Sequence, residues 1–229
     1  MSEATTRRYT GLFGIIASVL ITVQVPLYFL YSGAPPDWNI LTRSLIGIVG
    51  CTFFIVYFIG LRQLIHQINP GYDWTGTVVQ MTGLLWVVVV FIPQAMEAGA
   101  AISVDHDIDT TTEGPFAPAQ YLLQGAVSRL LMALFLIALG ITISRLGFLP
   151  AWVGRSAYVL AAINLAFVPA LYFGDDAADF YSAQGWGTTA TMGALWSLWT
   201  LAVSISTLRS ARRIGTGAPA GRSVTPAYT

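Results

Sequence analysis

Along the chain, apolar residues gather into six runs, roughly 11–31, 44–65, 76–97, 126–147, 152–173 and 187–208, with short polar stretches between them. A helix rising about 1.5 Å per residue needs about 20 residues to cross about 30 Å of hydrocarbon, and each run has that length. Backbone groups in lipid must be paired within their own segment, so every run predicts an α-helix. Small residues recur inside the runs, among them Gly47, Gly50, Gly83, Gly140, Gly193 and Ser197. They let helix backbones approach closely. The pattern predicts an all-α polytopic membrane protein. Residues 1–209 form one domain, a bundle of six transmembrane helices. Residues 210–229 (Gly, Ala, Pro, Arg, Ser and Thr) have no apolar period and read as a flexible tail.

Composition strengthens this picture. Of the 229 residues, 55% are hydrophobic and 10% charged, where soluble domains carry about 45–50% and about 25%. Mean hydropathy is +0.66. Such a chain lacks the polar surface of a soluble enzyme or a nucleic-acid binder. Arginine supplies all 11 basic side chains, and there is no lysine, which excludes Schiff-base, pyridoxal-lysine and P-loop chemistry. Cys51 is the single cysteine, so no internal disulfide or C-x-x-C pair exists, and it reads as a small packed hydrophobe. The two histidines, His66 and His106, fall on opposite sides of the predicted membrane and cannot jointly hold a haem or metal. No G-x-S-x-G, H-E-x-x-H or G-x-G-x-x-G motif occurs. No cofactor is expected.

Charge gives direction. Arg7, Arg8, Arg62, Arg145, Arg155, Arg209, Arg212, Arg213 and Arg222 all lie on one side of a six-span path, and arginine enrichment marks the cytoplasmic side. Asp37, Asp105, Asp107, Asp109, Glu113, Asp175, Asp176 and Asp179 lie on the other, accompanied there by Arg43. The expectation is a plasma-membrane protein with both termini cytoplasmic. The long first run with five spans behind it makes Arg7-Arg8 a helix anchor, not an export signal. Trp38, Trp74, Trp152 and Trp186, with Tyr9, Tyr72, Tyr172 and Tyr181, fall near span ends as an interfacial belt. Trp86, Trp196 and Trp199 lie deeper, where they pack helices together.

Arg129 is the most informative residue, since an intramembrane charge costs about 2.5–3.5 kcal/mol at a helix centre. It precedes Arg145 by 16 residues, about 24 Å of helix, so a slab of about 30 Å holds both just inside its boundaries. Snorkelling relieves that depth, and a shallow register follows. Glu97, the acid within an apolar run, stands at the same outer level, so a Glu97–Arg129 salt bridge between the third and fourth helices is expected. Pro26, Pro93 and Pro169 interrupt the three outward-running helices, with polar residues at matching depths. Gln24, Gln94, Glu97, Arg129, Asn164, Tyr172 and Asp175 form a candidate outward-facing pocket, with Arg129 holding any anionic head group. The same amides can instead hydrogen-bond between helices, at about 0.6 kcal/mol each. In the segment 98–119, Asp105, His106, Asp107 and Asp109, followed by Glu113, offer oxygen ligands for a divalent cation. Their spacing fits neither an EF-hand nor a zinc motif, so a solvated acidic loop without metal is expected.

Several short words recur in a known pattern: Arg8-Tyr9-Thr10-Gly11 opening the first span and Gly60-Leu61-Arg62-Gln63-Leu64 closing the second. Gly147-Phe148-Leu149-Pro150-Ala151-Trp152-Val153-Gly154 joins the fourth and fifth, and Leu195-Trp196-Ser197-Leu198-Trp199 with Ala202-Val203-Ser204 marks the last. The chain resembles bacterial six-helix integral membrane proteins of unknown function, the domain-of-unknown-function family numbered 4386. That resemblance implies a multi-pass plasma-membrane protein and supplies no activity. Three functional readings follow. The protein binds or helps move a small or lipidic molecule in its outer pocket; or it is an intramembrane enzyme on a lipid or isoprenoid, with Glu97 or Asp175 as general acid; or it is a helper docking another membrane protein. Its partners on these readings are membrane lipids, a small or lipidic ligand, and a membrane-protein partner or further copies of itself.

Overall fold

The computed structural model describes residues 1–31, 33–103 and 116–215. Six helical segments in it are long and apolar enough to cross a membrane, and no strand occurs among the described residues. Helix α1 (Glu3–Gln24) tightens into a 3-10 turn over Val25–Phe29; α2 covers Asp37–Ile68. A 3-10 turn at Pro70–Tyr72 leads into α3 (Asp73–Ser103). The fourth segment is composite: α4 (Ala117–Leu122), a π turn (Leu123–Val127) and α5 (Ser128–Leu146). Then come α6 (Ala151–Phe167) with a 3-10 turn over Val168–Tyr172, and a π turn (Gly187–Thr191) leading into α7 (Met192–Gly215).

The helices outlast their apolar runs because polar residues start and stop them. The Ser2 hydroxyl accepts from the Thr5 amide, and Glu3 lies in the first turn of α1, where a carboxylate complements the helix dipole. Asp37 does the same for α2 behind Pro36. At Gly147 the backbone adopts φ +62°, ending α5 in the left-handed conformation glycine tolerates.

Helix α2 packs on both α1 and α3, α1 on α7, α3 on α5, and α5 on α6. The start of α1, the later turns of α7 and the turns 69–72 and 147–150 gather at one end, here the terminal end. The segments 30–31, 33–36 and 173–186 lie at the other, the loop end. Between them runs an aromatic core in which Phe54, Trp86, Phe135 and Trp196 meet with ring centroids 5.2–5.5 Å apart. Trp86, Trp196 and Trp199 are buried there, as is Cys51. Gly14 lets α1 approach; a Cβ there would stand 2.6 Å from the Tyr57 ring. At the terminal end Arg7 donates to the Phe148 carbonyl (3.0 Å) and the Ser210 hydroxyl (2.9 Å), tying α1 to the α5–α6 turn and α7. Arg62 and His66 both meet Asp73, fastening α2 to α3.

Three details differ from the sequence expectation. Pro26 and Pro169 do not bend helices that then continue; each opens a 3-10 turn, because a missing N–H removes the α-helical bond and the tighter turn takes over. Pro93 does sit within a continuing helix, α3. The fourth segment begins at Ala117, not near residue 126, with a kink at Gly125 where the backbone leaves helical angles (φ −84°, ψ −110°). Helix α7 continues past Arg209 to Gly215, into the stretch expected to be tail; residues 216–229 lie outside the described residues.

Candidate functional site

The loop end encloses a cavity of about 260 Å³ between α1, α2, α3, the composite fourth segment and the start of α7. Its polar lining falls into two levels. The upper level is built from helical spacing. Gln24 and Tyr28 lie four residues apart, as do Arg43 and Gly47, and Gln94 and Glu97 three apart, so each pair shares one helix face. The Gln24 and Gln94 amide nitrogens both donate to the Tyr28 hydroxyl at 3.2 Å. That hydroxyl points to Glu97 Oε2 at 3.5 Å, a long contact. Arg43 Nε stands 3.4 Å from the same carboxylate oxygen, and the Arg43 guanidinium lies 4.2 Å above the Tyr28 ring centroid. Arg43 is 2% exposed and Glu97 0%, so this is a buried ion pair with a cation–π contact beneath it. Gly47 makes the cluster possible: a Cβ there would sit 2.8 Å from both the Gln24 and Gln94 amides.

The lower level is centred on Arg129. At the π turn the Ser128 amide bonds the Gly125 and Leu123 carbonyls and skips Gln124. Arg129 Nη2 takes up that Gln124 carbonyl (3.1 Å) and reaches the Ser128 hydroxyl (3.3 Å). The Ser128 hydroxyl in turn receives Trp86 Nε1 at 2.8 Å, placing Trp86 in the floor. Arg129 is 3% exposed, and its Nε and Nη1 have no partner among the described residues. Gln94 Oε1 and Gln120 Oε1, also in the wall, are buried acceptors without a partner there. Ile21, Val90 and Met132 complete an apolar lower wall. Phe29, Ala177 and Trp186 line the cavity and are themselves exposed, so they mark its mouth. Gly125 lets the mouth segment approach the π turn, since a Cβ there would lie 3.0 Å from the Ala183 carbonyl.

Of the sequence-selected residues, Gln24, Gln94, Glu97 and Arg129 meet in this cavity. Asn164 is buried on α6, away from it, and donates to the Leu160 carbonyl of its own helix at 2.8 Å. Tyr172 is 82% exposed and lies outside the wall. Asp175 is exposed, accepts from the Tyr121 hydroxyl at 3.4 Å, and so touches the site only through a lining residue. The expected Glu97–Arg129 pair does not form; the partner of Glu97 is Arg43. The reason is height. Ser128 meets Trp86, eleven residues before Glu97 on α3, about 16 Å lower along the axis. Arg129 therefore stands beside the middle of α3, well below the level of Glu97. Asp105, His106, Asp107, Asp109 and Glu113 lie outside the described residues.

Arg43, Tyr28, Gln120 and Gln124 are lining residues that sequence reasoning passed over. Arg43 reads as a flanking charge until its spacing from Gly47 is weighed, and the two glutamines fall before the expected start of the fourth span. Comparison with known proteins finds no family model that matches the chain, no similar curated protein and no similar solved structure.

Proposed function

We propose that this chain is a multi-pass protein of the plasma membrane, of the six-helix kind its sequence resembles, with both termini cytoplasmic. Its loop-end cavity then opens outward and binds a small or lipidic anion, head group on Arg129. The nine arginines at or beyond the terminal-side ends of the apolar runs support the orientation. One observation carries the binding reading: a buried guanidinium lines a cavity while two of its nitrogens have no partner among the described residues. A lone buried charge is costly, and an anion from outside the chain relieves that cost. Arg43 and Glu97 offset one another, so Arg129 leaves one positive charge among the described lining residues. Glu97 is engaged by Arg43 and Tyr28, an arrangement that holds a charge in place. This favours binding over acid catalysis at that carboxylate.

The test is thermal unfolding of the purified protein in a neutral detergent with hexanoate or hexanol at matched concentration. Hexanoate raises Tm and hexanol does not, the gain reaching about 2.7 kcal/mol at a hundredfold excess over Kd. In Arg129→Gln the hexanoate shift disappears. Equal shifts from acid and alcohol, or a shift that survives Arg129→Gln, overturn the reading.

A further inference from the structure

The cavity's shape and surroundings carry the ligand class further. About 260 Å³ is below the roughly 300–1,000 Å³ of pockets that enclose a drug-sized molecule. It accommodates a head group and a short stem. The charge that no other described lining residue offsets, Arg129, sits on the floor beside Trp86, and the way out passes Phe29, Ala177 and Trp186. Beyond Trp186 the rings continue. Trp186 touches Phe180 (centroids 4.6 Å apart), Phe180 touches Phe167 (5.6 Å), Phe167 touches Tyr181 (5.3 Å), and Tyr181 touches Phe173 (5.2 Å). Trp186 and Phe180 are 46% exposed and Phe173 61%. The result is an unbroken aromatic track that starts at the cavity mouth and runs over the outer segment 167–186. An interfacial belt explains isolated rings at this level; it does not require that they touch in series from the mouth of a charged cavity.

Building on the reading of Arg129 as an anion anchor, we infer that the ligand is a single-chain anionic amphiphile. Its carboxylate or phosphate-type head rests on Arg129, its first methylenes fill the cavity, and the rest of its chain lies along the Trp186–Phe173 track. Complementarity fixes both ends: one positive charge inside among the described residues, and apolar ring faces outside. A free inorganic anion satisfies only the first, and an uncharged lipid only the second.

The experiment measures affinities of propionate, hexanoate, octanoate, decanoate and dodecanoate, with inorganic phosphate alongside, for the full chain in phosphatidylcholine nanodiscs. Wild type is compared with Phe180→Ser and Phe173→Ser. Burial of each methylene on the track tightens binding about fourfold, and partition into the lipid is common to all three proteins. The expected result is a steep dependence on length from octanoate to dodecanoate in wild type, and a flatter one in both variants, with hexanoate affinity within about twofold of wild type. Hexanoate binding also reports that the variant is folded, and Phe173→Ser, at the exposed far end, is read independently of any packing defect at Phe180. Wild-type slopes in both variants overturn the track. Phosphate or propionate binding as tightly as dodecanoate overturns the amphiphile and leaves the Arg129 anion site standing. Hexanol, measured alongside, binding as tightly as hexanoate instead removes the anchor itself.

Discussion

Two buried arginines line the same cavity under opposite conditions. Arg43 has a carboxylate beside it and a ring beneath it, while Arg129 has a carbonyl and a hydroxyl. Removing one member of a buried pair strands the other charge, at a cost of about 3–5 kcal/mol. Glu97→Gln is therefore expected to destabilise the protein by about 3 kcal/mol in reversible unfolding. In double-mutant cycles Glu97 couples to Arg43 by at least about 1 kcal/mol, whereas Glu97 and Arg129 add within about 0.5 kcal/mol. Strong coupling to Arg129 contradicts the geometry. Arg129→Met has the opposite sign. It exchanges an incompletely paired charge for an apolar side chain beside Met132, so the ligand-free protein gains about 1–2 kcal/mol while hexanoate binding is lost. A loss of stability in that variant shows that the guanidinium is structural. The sequence left Arg43 as a flanking charge and singled out Glu97 and Arg129 through their cost in lipid, but not the partner of either. That choice depends on relative helix height, which composition does not encode.

At the scale of elements, the site exists because helices are interrupted or thinned at defined places. Gly47 thins α2 where two amides cross; Gly125 breaks the fourth segment and frees the Gln124 carbonyl for Arg129. Gly47→Ala puts a Cβ 2.8 Å from the Gln24 and Gln94 amides. The expected cost is about 1–3 kcal/mol of overpacking, together with weakened hexanoate binding as Tyr28 loses its donors. Unfolding and binding measured on the same preparation check both, and an unchanged protein contradicts the packing. The six helices were legible because their apolar runs are long and carry few charges. The start of the fourth was not: Gln120 and Gln124 look like loop, and Gly125 like a break, when the chain is read for hydropathy alone. Asn164 was chosen by depth, yet α6 packs on the far side of α5. Depth selects a layer of the bundle; only neighbour order selects a wall of the cavity. The spacing of Arg43 to Gly47 carried that information, since residues four apart share a helix face.

For the whole molecule, the position of the charges and the position of the cavity make one joint prediction. The cavity mouth lies at the loop end, and nine arginines lie at or beyond the terminal ends of the apolar runs, so a cytoplasmic terminal end requires an outward mouth. The chain provides its own silent background, because its single cysteine, Cys51, is completely buried in the core. A membrane-impermeant maleimide should leave the native protein unlabelled on intact cells. It should label Ala177→Cys at the mouth from outside, and Asn69→Cys in the terminal-end turn only after permeabilisation. Because Ala177 lines the cavity, dodecanoate should slow the first reaction severalfold and leave the second unchanged. Labelling of Asn69→Cys on intact cells reverses the topology and turns the cavity toward the cytoplasm. Labelling of Ala177→Cys at an unchanged rate with dodecanoate present keeps the topology and removes the ligand from the mouth. The two cysteines thus separate orientation, which rests on where arginines fall, from binding, which rests on what Arg129 lacks.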